Sequence, residues 1–153
     1  MKYVTGDLLE VREGILVHGC NAQGRMGSGV ALLVKEQYPE CYKKYREDLK
    51  SGMEAGEVSW YPCRGKSKDL LIASAITQWF YGREPGIRYV SYDALDHCLF
   101  TVFEEACLSR SRVSMPKIGF GTGGGTWPII EALIEHNAEK ADLKSSRITI
   151  YSL

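Results

Sequence analysis

Apolar and polar positions run along this chain in short blocks, each bounded by glycine, proline or a polar cluster. Lys2 to Thr5 predicts a short strand, with Gly6-Asp7 as the turn behind it. Gly14 to Cys20 (GILVHGC) is a brief apolar run between glycines and reads as a buried strand. Val30 to Gln37 (VALLVKEQ) predicts a helix that stops at Tyr38-Pro39, because the residue before a proline is pushed out of the helical region. Cys41 to Lys50 predicts a polar helix stopped by Ser51-Gly52. Glu57 to Pro62 and Leu70 to Ile76 predict strands, joined by a basic, solvated hairpin turn from Arg64 to Lys68. Ser91 to Ser109 predicts a long amphipathic helix with Leu95, Leu99, Val102, Phe103 and Ala106 on one face. Val113 to Ile118 (VSMPKI) predicts a strand, with Pro116 pointing to an edge or a bulge. Trp127 to Ala141 predicts a helix with Pro128 in its first turn, and Arg147 to Tyr151 (RITIY) a last strand.

Strands alternating with helices imply an α/β domain built on a largely parallel sheet. Ligands of such sheets bind beyond the carboxyl ends of the strands. Two glycine-rich stretches fall there, each between a strand and a helix: residues 21–29 (NAQGRMGSG) and residues 119–126 (GFGTGGGT). Backbone N–H groups at a helix start attract anions, and glycine lets a phosphate come close or the chain take a positive φ. One loop suits one phosphate, and two on one edge suit a diphosphate. Neither loop has the spacing of a dinucleotide fingerprint or of an NTP phosphate loop.

Composition narrows the choice. The chain has 153 residues, the length of a single domain spanning 1–153, and 44% hydrophobic with 25% charged residues is globular composition. Nineteen basic against nineteen acidic residues give zero formal charge, which argues against a specific nucleic-acid partner but leaves room for a local anion pocket. The start lacks the apolar run of a signal peptide, and nothing approaches the ~18 consecutive apolar residues of a membrane helix. Five cysteines (Cys20, Cys41, Cys63, Cys98, Cys107) without a CxxC pair argue against a disulfide framework or a zinc cluster. The expectation is a cytoplasmic, reduced, monomeric protein with no metal, no cofactor and no membrane partner.

Five separated motifs, in order, resemble a macrodomain: Thr5-Gly6-Asp7-Leu8-Leu9, ILVHGCN, GRMGSGVA, SMPKIGFGTGGGTW and ITIYSL. The resemblance spans Tyr3 to Leu153 and is nearest the branch of the terminal ADP-ribose protein glycohydrolase and the yeast-type ADP-ribose 1''-phosphate phosphatase. Short proteins of this kind occur in bacteria and phages. It implies a three-layer fold with a mixed, largely parallel sheet between helices, and a small-molecule ligand of the ADP-ribose class. On that resemblance Asp7, beside Leu8, receives the adenine amino group, and Asn21 meets the distal ribose. Gly27, Ser28, Gly29 and Val30 match the first phosphate loop; Gly121, Thr122, Gly123, Gly124 and Gly125 match the second. Tyr151 and Leu153 match the strand bordering adenine. Residue chemistry alone leaves Asp7 equally readable as a turn or cap residue, and Tyr151 as core.

Two departures bear on the reaction. The glycohydrolase type uses a lysine after the middle strand, where this chain reads Thr77 to Arg83 (TQWFYGR), and an aspartate in the second loop, where it reads Thr122 to Thr126 (TGGGT). Removal of ADP-ribose from proteins by that route is therefore disfavoured. Cys20 to Arg25 is one residue short of a cysteine-phosphatase loop. His18 and Asn21 are left as catalytic candidates, His18 as a general acid or base or else a histidine satisfied inside the sheet. Arg25 is either a phosphate partner or solvated, and Gln78, Trp79 and Phe80 either wall the pocket or form an apolar cluster. The leading expectation is hydrolysis of ADP-ribose 1''-phosphate; the alternatives are a non-catalytic reader of ADP-ribose metabolites and removal of ADP-ribose from proteins by other residues.

Overall fold

Six strands and four helices follow the predicted blocks closely in a computed structural model that describes residues 1–64 and 69–152. The expected hairpin at 65–68 and the assignment of Leu153 lie outside the described residues. The strands are β1 (Lys2–Thr5), β2 (Glu13–Asn21), β3 (Val58–Pro62), β4 (Asp69–Gln78), β5 (Val113–Pro116) and β6 (Ile148–Ser152). The helices are α1 (Gly29–Gln37), α2 (Pro39–Lys50), α3 (Tyr92–Ser109) and α4 (Trp127–Lys140). The sheet order is β1-β6-β5-β2-β4-β3. Every neighbouring pair is parallel except β3 with β4.

Alternation along each strand makes three layers. Ile15 and Val17 of β2 point to one face, with Ala73 and Ala75 of β4, and pack on α3 and α4 through Leu95, Leu99, Phe103, Ile130 and Ile134. Leu16 and Cys20 point to the other, where Ile72 and Ile76 join Val34 of α1 and Cys41 and Tyr45 of α2. Tyr38 ends one helix and starts the next: its N–H donates to Val34 O at 2.7 Å, and Pro39 opens α2, where the missing N–H costs nothing. Ser91 caps α3 by accepting from Ala94 N at 3.1 Å.

One expectation needs correcting. Pro116 marks neither an edge nor a bulge, because β5 lies inside the sheet between β6 and β2. Pro116 is its last residue, in register with Tyr151, so the strand stops where its ladder donor is missing.

Five parallel strands bring their carboxyl ends to one edge. The segments leaving them, 6–12 after β1, 22–28 after β2, 79–91 after β4 and 117–126 after β5, therefore share that edge. Among the described residues no helix is long and apolar enough to cross a membrane, and no group of three His, Cys, Asp or Glu is placed to hold a metal ion.

Candidate functional site

Two cavities open on this edge, one on each side of the first turn of α1. The larger, about 340 Å³, is bounded by Asn21, Arg25, Gly27 and Ser28 from the first glycine loop, by Thr122 from the second, and by Gln78, Tyr81, Gly82 and Arg83 from the segment after β4. The other, about 270 Å³, is bounded by Asp7, Leu8 and Leu9, by Val30 and Leu33 of α1, and by Lys117 and Tyr151. Ser28 and Ala31 face the first cavity while Val30 and Leu33 face the second. One elongated molecule filling both must cross the amino end of α1, and Ser28 makes no side-chain bond to cap that end.

The first loop is held by Asn21. Its Oδ1 accepts from Gln23 N at 2.9 Å and Arg25 N at 3.3 Å, and its Nδ2 donates to Arg25 O at 2.9 Å. The Tyr45 hydroxyl donates to the Asn21 carbonyl and, at 3.2 Å, to Oδ1. The amide is thus mostly spent on shaping the loop, with one Nδ2 hydrogen free toward the cavity. The positive φ expected of this loop belongs to Gly24 at +79° and Gly29 at +59°, and Gly27, without one, has open space where a Cβ would stand.

The second loop has a different logic. A Cβ on Gly125 would meet Gly119 O at 2.7 Å and Ile130 Cδ1 at 2.8 Å. One on Gly124, whose φ is +73°, would meet Ile87 O at 2.5 Å. Gly123 is buried, and its carbonyl accepts from Tyr89 N at 2.9 Å and Val90 N at 3.0 Å. Gly124 and Gly125 are needed for close packing, and of this loop Thr122 alone reaches the cavity wall. Gly29, Gly121, Gly123, Gly124 and Gly125 are outside both linings.

His18 lies elsewhere. It is in register with Ser74 on the α2-facing side of the sheet, fully buried, with Nε2 2.8 Å from Ser74 Oγ and Nδ1 3.7 Å from Cys20 Sγ. Burial lowers its pKa from 6.5 to about 4, so the ring is neutral at ordinary pH. His18 lines neither cavity, and its burial lends the expected acid–base role no support. Cys20 does touch the cavity wall, but burial pushes its thiol well above the usual range and keeps it un-ionised.

Several wall residues escaped the sequence reading. Tyr81, Gly82 and Arg83 lie in a segment without periodicity, and Lys117 is one residue past a strand. Gln78 lines the cavity, while Trp79 and Phe80, 49% and 66% exposed, stand outside it. The signal available for Arg83 was its position, downstream of β4 on the ligand edge. In the larger cavity the two guanidinium groups of Arg25 and Arg83 face polar Asn21, Ser28, Gln78 and Thr122, and no carboxylate is among its described lining residues. Two arginines, with no carboxylate beside them among the described residues, give this cavity a lining suited to an anion.

Comparison with known proteins agrees with this geometry. No family model matches the chain. It is 42% identical over 161 residues to an ADP-ribose 1''-phosphate phosphatase of Meyerozyma guilliermondii, covering 88% of this chain and 92% of that protein. It is 30% identical over 154 residues to the human ADP-ribose glycohydrolase OARD1, covering 99% and 90%. An uncharacterised 17.5 kDa protein of phage T4 is 30% identical over 149 residues, covering 94% and 93%. The chain spans only 38% of the DNA ADP-ribosyl glycohydrolase of Thermus aquaticus, at 28% identity. Among solved structures, the macrodomain of Thermus aquaticus DarG superposes with a TM-score of 0.81 at 25% identity, covering 99% of this chain and 97% of that one.

Proposed function

Since the chain belongs to the macrodomain family, of which ADP-ribose hydrolases are members, we propose that it hydrolyses ADP-ribose 1''-phosphate to ADP-ribose and inorganic phosphate. The observation that carries this reading is the larger cavity, with two arginines and no carboxylate among its described lining residues. A diphosphate at the start of α1 needs the helix N–H groups; a second phosphate on the distal ribose needs further cations, and Arg25 and Arg83 supply them.

In this reading the adenine lies in the smaller cavity, its amino group donating to Asp7. Oδ1 of Asp7 already accepts from Leu9 N at 2.9 Å, which orients the carboxylate and leaves Oδ2 for the ligand. Val30 and Tyr151 flank the base. Asn21 offers its free Nδ2 hydrogen to the distal ribose, and the 1''-phosphate lies between Arg25 and Arg83. A water attacks phosphorus, its O–P bond forming as the P–O1'' bond breaks. The bonding pair leaves with O1'', and the water's proton passes by way of a phosphate oxygen to give the lactol hydroxyl. Little nucleophilic assistance is required, because positioning and charge neutralisation dominate such reactions. Gln78 suits the water: its Nε2 donates to Phe80 O at 2.6 Å, which holds the amide with Oε1 as the acceptor facing the second loop.

A second reading, a module that retains ADP-ribose without cleaving it, is favoured by the neutral buried His18 and the un-ionised Cys20. One experiment separates the two. The protein is incubated with ADP-ribose 1''-phosphate and, separately, with mono-ADP-ribosylated protein and DNA, while phosphate and free ADP-ribose are followed. Phosphate release from the first alone supports the proposal. Saturable ADP-ribose binding with no product from any of them establishes the binding module. Release of ADP-ribose from protein or DNA moves the chain to the glycohydrolases.

A further inference from the structure

The segment after β4 has no regular structure between residues 79 and 91, yet it carries one whole wall of the larger cavity. Something must hold that wall at a fixed distance from the glycine loop opposite. Tyr89 is placed to do so. A Cβ on Gly82 would collide with the Tyr89 hydroxyl and lie 2.5 Å from its Cζ and 2.8 Å from its Cε1, so the ring fills the space beside Gly82. Tyr81, Gly82 and Arg83 all line the cavity. The backbone of the same tyrosine is tied the other way: its N–H and that of Val90 both donate to Gly123 O, next to Thr122 in the facing wall. Val90 is itself buried against Gly119, Gly123 and Gly125, and Ser91 N donates to Thr77 O at 2.8 Å. Residues 89–91 are thus anchored to the fold, while Gly82, next to Arg83, leans on the Tyr89 side chain.

We propose that Tyr89 is a positioning residue that sets the gap between Arg83 and Thr122, and through it the selectivity of the cavity for a phosphate on the distal ribose. The proposal deepens the hydrolase reading and rests on it for its kinetic arm only. Removing the ring leaves the backbone bonds to Gly123 in place and lets the stretch around Gly82 relax, so Arg83 moves while the adenine cavity and α1 do not. A displacement of about 1 Å at a charged positioning group costs on the order of 10²-fold in turnover.

The test compares wild type, Tyr89→Phe, Tyr89→Ala, Gly82→Ala and the Tyr89→Ala/Gly82→Ala double variant. Tyr89→Ala is expected to lower kcat for ADP-ribose 1''-phosphate by about 10–100-fold while leaving the affinity for ADP-ribose unchanged. Tyr89→Phe, which keeps the ring carbons beside Gly82 and removes only the hydroxyl, is expected to lose much less than Tyr89→Ala. Gly82→Ala, which pushes on the wall from its other side, is expected to reproduce the loss, and to add little once the ring is gone. Should wild type bind without turnover, the hydrolase reading fails and the same variants are read by calorimetry. Wild type and Tyr89→Phe then prefer ADP-ribose 1''-phosphate over ADP-ribose, and Tyr89→Ala and Gly82→Ala lose that preference. Wild-type turnover and preference in folded Tyr89→Ala overturns the proposal. If that variant does not fold, unchanged preference in Gly82→Ala does so instead.

Discussion

Replacing Arg83 by alanine takes one of two guanidinium groups from the larger cavity and creates no void in the core, since the side chain is exposed. Phosphate release from ADP-ribose 1''-phosphate is expected to fall by about 10²-fold with the melting temperature unchanged, and Arg83→Lys to recover part of the rate. A stopped phosphate assay with a parallel melt reads both. Asp7 has two duties, one per oxygen, and they separate by substitution. Asp7→Asn keeps an acceptor for Leu9 N but loses the charge, and Asp7→Ala loses both. ADP-ribose affinity measured by calorimetry is expected to drop by roughly 1.5–3 kcal/mol for alanine and by less for asparagine. His18→Ala is expected to destabilise the fold, because it leaves Ser74 without its 2.8 Å partner and opens space in the core, while turnover of the folded fraction holds. A loss of turnover at unchanged stability would reinstate the histidine as a proton carrier.

Among the elements, the two glycine loops look alike in sequence and differ in what their glycines do. Gly27→Glu is expected to abolish ADP-ribose binding without moving the melting temperature, since its Cβ meets nothing within 4 Å and its carboxylate enters an anion site. Gly125→Ala is expected to cost about 1–3 kcal/mol of stability, because its Cβ would press on Gly119 O and Ile130. Thermal melts and calorimetry on the two proteins give opposite pairs of results. This contrast marks how far the sequence could be read. Strand and helix positions were legible because apolar blocks and Gly/Pro boundaries are local signals. Asp7, Leu8, Val30 and Tyr151 could be assigned to one ligand only through the resemblance to macrodomains, and they line one cavity. That Gly124 and Gly125 pack against residues 87–90 and Ile130 was not legible, since it depends on contacts far along the chain. Arg83 was hidden for the same reason: exposed charge in an aperiodic segment looks alike whether it faces water or a cavity. For His18, the strand pattern left both a catalytic and a buried role open, and the packing of Ser74, Cys20 and α2 around it, which favours the buried one, was not legible in that pattern.

At the level of the whole molecule, the buried histidine links folding to pH. Its pKa is lower in the native protein, about 4, than the ordinary 6.5 it regains on unfolding, so below pH 6.5 the unfolded chain takes up a proton that the native chain refuses. Its contribution is complete above about pH 6.5 and erodes as pH falls toward 4, by about 3 kcal/mol in total. Denaturant melts of wild type between pH 7 and 4 should show that loss, and a folded His18→Gln protein should show a shallower one.

The pairing of β1 with β6 has a consequence in time. Lys2 is in register with Thr149 and Thr5 with Ser152, so the first strand made waits for the last one to appear before it can find its place in the sheet. The smaller cavity inherits that delay, because Gly6 to Leu9 form one side of it and Tyr151 and Ser152 the other. A ribosome adding 5–20 residues per second finishes the larger cavity's walls, complete by Thr122, before β6 has been synthesised at all. The residues that line the arginine-rich cavity all precede those of β6, whereas the cavity lined by Asp7 and Tyr151 draws on both the β1 and β6 sides of the sheet. Any ligand spanning both cavities would act as a clasp on the pairing of β1 with β6, and binding of ADP-ribose is expected to slow the escape of β1.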